Sequence, residues 1–305
     1  MRRALAGGPA WALGRPRLAW REVVVAGALL AALGALVFAP HVRSGGFQTD
    51  DWSTAAVYRF APSPRYENAA RFQRAILGGR PLLARAQPLP HAVFGGRFGW
   101  HLALAVALGV LASLAAFGAL RLAGLPPLRA LGAAGLALVF PWSDATRLWP
   151  IAGLNNLAPL AAAGGLALAL RGLRCTGRRA VAWHGGALAL YAVALGFYEA
   201  VAGIALGFGV LYVAQAGWRA AWPRWLADVA VVVPIVLLAQ SVSSNVRPAP
   251  GTQSIRRDLG PFASDTLEVA ARSLSPFGPS AAVPGALALL AAAVWCVRRR
   301  RGDRD

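Results

Sequence analysis

The chain contains no lysine, only two cysteines and a single methionine, and only 14% of its 305 residues are charged. Each shortage excludes something. Two cysteines, Cys175 and Cys296, cannot build a disulfide framework or a zinc ribbon. Without lysine there is no Gly-rich phosphate loop with its cation, so nucleotide hydrolysis by that route is excluded. Low charge, set against 57% hydrophobic residues and a positive mean hydropathy, excludes a soluble fold and points to a chain dissolved in lipid. What is abundant is arginine: 31 of them against 12 acids, a formal charge of +19. Such a surplus suits nucleic acid, anionic lipid or a phosphorylated substrate, and its location along the chain must decide.

A helix needs about 20 largely apolar residues to cross the hydrocarbon core. Eight stretches are candidates: 22–40, 99–120, 128–142, 153–170, 181–197, 200–216, 225–242 and 281–297. The expected fold class is therefore all-α, a polytopic transmembrane helix bundle. The third stretch has only eleven residues between Arg129 and Pro141, so it must snorkel its arginine or sit short inside the bundle. Residues 180–215 are too long for one crossing and carry Phe197-Tyr198-Glu199 at their middle, which predicts a tight hairpin. The first span follows Arg2, Arg3, Arg15, Arg17 and Arg21 without a small-x-small cleavage site, so a retained anchor is expected.

Arginine in short loops sets topology. The amino-terminal tail, Arg121 with Arg129, the run Arg171, Arg174, Arg178 and Arg179, Arg219 with Arg224, and Arg298 to Arg301 all fall on one side of an eight-span chain. That side is expected to be the cytoplasm, with both termini in it. Indoles favour the headgroup level and agree with this frame: Trp20, Trp183, Trp218, Trp222, Trp225 and Trp295 at inner ends, Trp100, Trp142 and Trp149 at outer ends. Eighteen arginines are then cytoplasmic, where they meet anionic lipid and carry no message about nucleic acid. The remaining thirteen share the outer face with eight of the twelve acids.

The resulting organisation is a basic cytoplasmic tail at 1–21, a transmembrane core at 22–242 that includes an outer loop at 41–98, a second outer loop at 243–280, and a last span with a basic tail at 281–305. In the first outer loop, 64–77 reads as an amphipathic helix on the outer leaflet. Ser63-Pro64 starts it, Gly78-Gly79-Arg80-Pro81 ends it, and a stripe of Tyr66, Ala69, Ala70 and Phe72 to Ile76 is opposed by Arg65, Arg71 and Arg74. The second outer loop is rich in Pro, Ser, Thr and Gly, interrupted by Arg256-Arg257-Asp258.

Several outer groups are candidates for chemistry. Asp50-Asp51 is a carboxylate pair beside the membrane surface, where one member can act as general base while the other positions a substrate hydroxyl or a metal. The alternative is a double N-cap. Glu199 lies in the short hairpin, either a solvated acid or a carboxylate facing a cavity and pairing with Arg147. Between 141 and 156 the chain packs Asp144, Arg147, Asn155 and Asn156 among Trp142, Trp149 and prolines. Arginine there suits a phosphate, and against this stands a surface Asp/Arg pair with helix-capping amides. His41, His91 and His101 are all outer, but no two are one helical turn apart, so a zinc motif is not expected.

In order and sidedness these features resemble the GT-C superfamily of polytopic glycosyltransferases. The likeness covers roughly residues 20 to 215 and is carried by one span, a long outer loop with Asp50-Asp51, then Gly79-Arg80-Pro81, a short third span ending in Pro141, the segment Trp149-Pro150-Ile151-Ala152-Gly153-Leu154-Asn155-Asn156-Leu157, and Phe197-Tyr198-Glu199. The resemblance implies a multi-pass protein of a cell membrane, a bacterial plasma membrane, that moves a sugar from a polyprenyl-phosphate donor to an envelope acceptor, whether glycan, lipid or protein. Asp50 or Asp51 would be the general base and Glu199 a supporting cavity acid. Arg80, Asp144, Arg147, Asn155, Asn156, Tyr198, Arg256 and Arg257 would bind substrate. The resemblance fixes no cofactor and leaves a divalent metal open. The rival is a non-enzymatic membrane protein, a transporter subunit or an envelope-assembly scaffold. Passage through the bundle calls for polar groups at mid-membrane, whereas these spans read as nearly all Ala, Leu, Gly and Val.

Overall fold

The computed structural model describes residues 18–140 and 145–244. They belong to the first of two units, Met1–Arg247; the second, Pro248–Asp305, lies outside the described residues, as do the expected eighth span and the second outer loop beyond 244. Every element among the described residues is helical.

Among the described residues, six apolar stretches are long enough to cross a membrane. They are α1 (Trp20–Ser44), α6 (Phe98–Leu122), the run Pro150–Leu173, α11 (Gly177–Phe197), the run Glu199–Ala216 and α13 (Trp218–Ser244). The run Pro150–Leu173 is built from α9 (Pro150–Gly153), a 3₁₀ turn at Leu154–Asn156 and α10 (Leu157–Leu173); the run Glu199–Ala216 is a 3₁₀ turn at Glu199–Val201 followed by α12 (Ala202–Ala216). The expected third span is α7 (Pro127–Val139), whose thirteen residues reach only about 20 Å. It buries Ala130, Ala134 and Leu138, one per turn, against α1 and α6 and leaves Arg129 exposed at its start. The hairpin expected at Phe197-Tyr198-Glu199 is present, since α11 ends at Phe197 and the 3₁₀ turn begins at Glu199.

α1 and α6 run antiparallel, α6 and the run Pro150–Leu173 run parallel with the short α7 returning between them, and the later spans alternate, which gives the bundle two unlike ends. One carries the tight turns 123–126, 174–176 and 217, which contain or are flanked by arginines. The other carries the long segment 45–97, residues 145–156 and the turn at 198–201. At the arginine-rich end the guanidinium groups have structural partners. Arg121 pairs with Glu22 at 2.9 Å and also donates to the Leu125 carbonyl, while Arg174 donates to the Leu122 carbonyl, so cations neutralise the carbonyl-rich end of α6.

Small residues set the helix spacing, as packing without a water-driven force demands. A Cβ on Gly165 would come within 2.5 Å of the Tyr191 ring, and one on Gly153 within 2.5 Å of Ala105 Cβ, so α10 can approach α11 and α9 can approach α6 only because both positions are glycine. Trp225, expected at the inner membrane boundary, instead turns inward: its indole donates to the Leu206 carbonyl at 2.9 Å and covers Gly209. The outward faces keep large apolar residues exposed, including Leu29, Leu36, Leu111, Ile204, Val210 and Leu237, as lipid-facing surfaces do.

The first outer loop holds four helices: α2 (Thr49–Phe60), α3 (Arg65–Ile76), α4 (Pro81–Ala86) and α5 (Leu89–Phe94). The anticipated amphipathic helix is α3, within one residue at each end. Its buried face is narrower than the sequence stripe, consisting of Ala69, Ala70 and Gln73, while Phe72 and Ile76 stay half exposed. Small residues win the inner face because α3 packs flat against α2 and α4, leaving no room for a phenyl ring.

Candidate functional site at the loop-rich end

The two members of the acidic pair have different environments. Asp51 is 2% exposed, and both its oxygens are taken: Oδ2 accepts from the Gln48 amide at 2.8 Å, closing a capping box on α2, and Oδ1 accepts from the Ile151 amide at 2.7 Å. One carboxylate thus caps its own helix and staples it to α9, 100 residues away. Burial pushes the Asp51 carboxyl above its ordinary value, against the pull of the Gln48 and Ile151 amides and the Trp149 indole. Asp50, the residue before it, is exposed on the first turn.

Glu199 finds its cation in Arg80 rather than in Arg147. Arg80 Nε donates to Glu199 Oε2 and Nη2 to Oε1, each at 2.7 Å, and the guanidinium lies 4.4 Å from the centroid of the Tyr198 ring. The pair is about one-third exposed, and it ties the start of α4 to the turn after α11. Close packing of Leu82 over Gly196 brings the two backbones together, since a Cβ on that glycine would stand 2.8 Å from the leucine side chain.

Arg147 lies instead in α8 (Ala145–Leu148), 6% exposed and spread over Gly109 of α6. Its Nη1 donates to Thr146 Oγ1 at 2.8 Å and Nη2 to the Ala137 carbonyl at 3.3 Å. Asn156, expected as a helix cap, is a cross-brace: its Nδ2 donates to the carbonyls of Thr146 at 2.7 Å, Gly153 at 2.9 Å and Ala105 at 3.3 Å. The first turn of α10 has no side-chain cap because the preceding 3₁₀ turn already occupies its amides.

Thr146, Arg147, Asn155, Asn156 and Tyr198 line one cavity of about 370 Å³, closed by Ala112, Pro159 and Ile204 among others. Within it, Asn155 Oδ1 is a buried acceptor with no donor among the described residues. Buried polar atoms are nearly always paired, so this oxygen lacks a partner that a ligand hydroxyl would supply. Four of the expected substrate-binding residues, Arg147 to Tyr198 in sequence, therefore line a single cavity. Arg80 and Glu199 adjoin it through Tyr198. Asp144, Arg256 and Arg257 lie outside the described residues.

A second cavity, about 600 Å³, opens between α2 and α5. Trp52, Tyr58, Phe47 and His91 form its aromatic wall, with Arg59 and Arg65 at the rim. Tyr58 stacks on His91 with centroids 6.2 Å apart, and His91 lies 4.6 Å from His101, whose Nε2 donates to the Gly95 carbonyl. Burial, with His101 beside it, lowers the His91 pKa from 6.5 to about 4. No local pattern announces this cavity, because it forms only where α2 packs against His91 and Gly95-Gly96.

His41 is apart from these rings and bonds the Leu148 carbonyl at 2.8 Å. Among the described residues no group of three or more His, Cys, Asp or Glu could hold a metal ion. The fold and its loop-rich end define a multi-pass membrane protein with two cavities lined by polar and aromatic side chains. No family model, no curated protein and no solved structure matches the chain, so its function must be argued from the site.

Proposed function

We propose that the chain is a polyprenyl-phosphate-dependent glycosyltransferase of the GT-C type, with eight spans, both termini cytoplasmic, and the loop-rich end facing outward from a bacterial plasma membrane toward an envelope acceptor. The observation that carries this reading is the unpartnered Asn155 oxygen on the wall of a cavity shared with Arg147, Asn156 and Tyr198. A sugar hydroxyl donates to such an oxygen, and a cavity of this size takes a hexose. Arg147 is assigned to the lipid phosphate.

In this reading Asp50 is the general base, because Asp51 has both oxygens committed to backbone amides. The acceptor hydroxyl attacks the anomeric carbon, its proton passes to Asp50, and the bond from that carbon to the lipid phosphate breaks with its electron pair leaving on phosphate. Asp51 and the Arg80–Glu199 pair position the loop helices around the reacting groups. The aromatic cavity offers ring faces of the kind on which an acceptor sugar stacks.

The test replaces Asp50 and Asp51 separately with Asn in cells, then profiles surface glycans and lipid-linked sugars with insertion verified. Asp50→Asn is expected to abolish transfer and accumulate the donor. Unchanged profiles with the protein inserted refute the catalytic reading. The second reading, a non-enzymatic transporter subunit or assembly scaffold, is favoured by one observation, the buried ionisable pair Asp228 and His184 within the spans.

A further inference from the structure

Polar side chains are expected to be scarce in the spans, yet three helices converge on a buried cluster. Asp228 of α13 is fully buried. From α11 it faces His184, whose Nε2 is 3.3 Å from Asp228 Oδ1, and Tyr191; from α12 it faces Tyr212. On its own helix Arg224 stands one turn back, half buried against Gly172. The two phenols bond each other at 2.9 Å. The Tyr212 hydroxyl is within side-chain hydrogen-bonding reach of Asp228, whereas His184 Nδ1 and Arg224 Nη1 are buried without partners among the described residues. A carboxylate so placed within a membrane span is costly unless it is protonated or paired, and such groups typically mark ion pathways.

We propose that Asp228 and His184 form an intramembrane proton-binding site. The ring tautomer follows from its contacts. His184 Nε2 must carry a hydrogen, because it lies 3.2 Å from the Arg224 carbonyl, which only accepts. Nδ1 therefore holds the free lone pair. A proton arriving at Nδ1 forms an N–H bond there; the Nε2–H bond breaks and its proton forms an O–H bond on Asp228 Oδ1. The net result is one proton gained by the carboxylate and a tautomer switch on the ring, with charge and atoms balanced. Release runs the same steps in reverse, and Arg224 is within a helical turn to compensate the carboxylate left behind.

Asp228 sits between Pro223 and Pro234, both inside α13, where each ring leaves a carbonyl of the preceding turn without its helical donor. Protonation at this point acts on the most interrupted helix of the bundle. The site stands independently of the glycosyltransferase reading, since it uses none of the loop-rich-end residues.

The test is an infrared pH titration of the full chain in liposomes. A carboxylic-acid carbonyl band is expected that bleaches on raising pH and is missing from Asp228→Asn. In His184→Phe, which keeps a ring but removes the donor, the band should persist and titrate with proton affinity raised about tenfold. Wild type and Asp228→Asn titrating alike would overturn the proposal. So would an unchanged midpoint in His184→Phe, and that variant decides the matter if Asp228→Asn does not accumulate. A merely structural clip would lower thermal stability in both variants and move no titration.

Discussion

Arg80 and Glu199, 119 residues apart, meet through two parallel 2.7 Å hydrogen bonds, and the guanidinium lies over the ring of Tyr198. Planar pairing and ring stacking together are available to arginine and not to lysine. Arg80→Lys is therefore expected to lose most of what Arg80→Ala loses. With both side chains about one-third exposed, solvent screening holds the coupling to about 1 kcal/mol. A double-mutant cycle with Glu199→Gln, read by thermal unfolding in detergent, measures it. Additive single and double variants would show that the clasp contributes nothing.

Asp50 and Asp51 should separate cleanly in stability. Asp51→Asn keeps one acceptor and places an amide against two backbone N–H groups, so it should cost about 1–2 kcal/mol. Asp50→Asn should change stability by less than about 0.5 kcal/mol, as exposed substitutions do. Chemical denaturation of the two variants checks the contrast, and equal losses would contradict the division of roles.

Asn155 and Asn156 are adjacent and opposite in consequence. Asn156→Ala removes the donor to three carbonyls and should destabilise by about 1–3 kcal/mol. Asn155→Ala deletes a buried oxygen that has no donor among the described residues, so folding should be unaffected or slightly favoured while substrate binding weakens. Unfolding midpoints beside a transfer assay distinguish them. A large stability loss in Asn155→Ala would mean that its oxygen is already satisfied.

His91 predicts an acid-sensitive outer loop. Its pKa is lowered in the fold, so it contributes stability that is complete above its unfolded value of 6.5 and lost as pH falls toward about 4. The loss approaches about 3 kcal/mol once the ring is forced to protonate. Thermal unfolding between pH 7 and 4 should show this slope, and His91→Gln should flatten it. The same slope in wild type and variant would assign the acid sensitivity to other groups.

Helix spacing gives the last contrast. Gly165→Ala must push the Tyr191 ring, 2.5 Å from the new carbon, and should cost about 1–3 kcal/mol. Gly203→Ala meets nothing within 4 Å in α12 and should be neutral or slightly stabilising. Unfolding temperatures of the two variants read the difference directly.

Legibility followed the range of the interactions involved. Spans were readable because a run of apolar residues needs no partner to declare itself, and the short third span was readable because Arg129 and Pro141 bracket it. The helix at 64–77 was readable from its own punctuation. Arg80, Tyr198 and Glu199 were each singled out, but the pairing was assigned to Arg147, since charge and side alone do not distinguish two arginines. Asn155 and Asn156 read in sequence as substrate ligands or as caps; Asn156 proves to be a cross-brace, and the 3₁₀ turn before α10 leaves no side-chain cap to make. Asp228 and His184 each stand out as an ionisable residue inside an apolar run, but their meeting, like the packing of α2 against His91 that forms the aromatic cavity, is decided between separate helices.

Composition and periodicity alone therefore determined that this chain is helical and crosses a membrane several times, because burying a backbone in lipid leaves helices as the only economical solution for a sequence of this kind. They also determined that acids collect toward one end, through the placement of arginine in short loops. Tertiary structure decided which acid is committed to backbone amides and which is exposed, which arginine meets Glu199, and that a carboxylate and an imidazole face each other inside the bundle. Those outcomes depend on contacts between segments a hundred residues apart, where glycine-permitted approaches of a few ångströms select one partner over another.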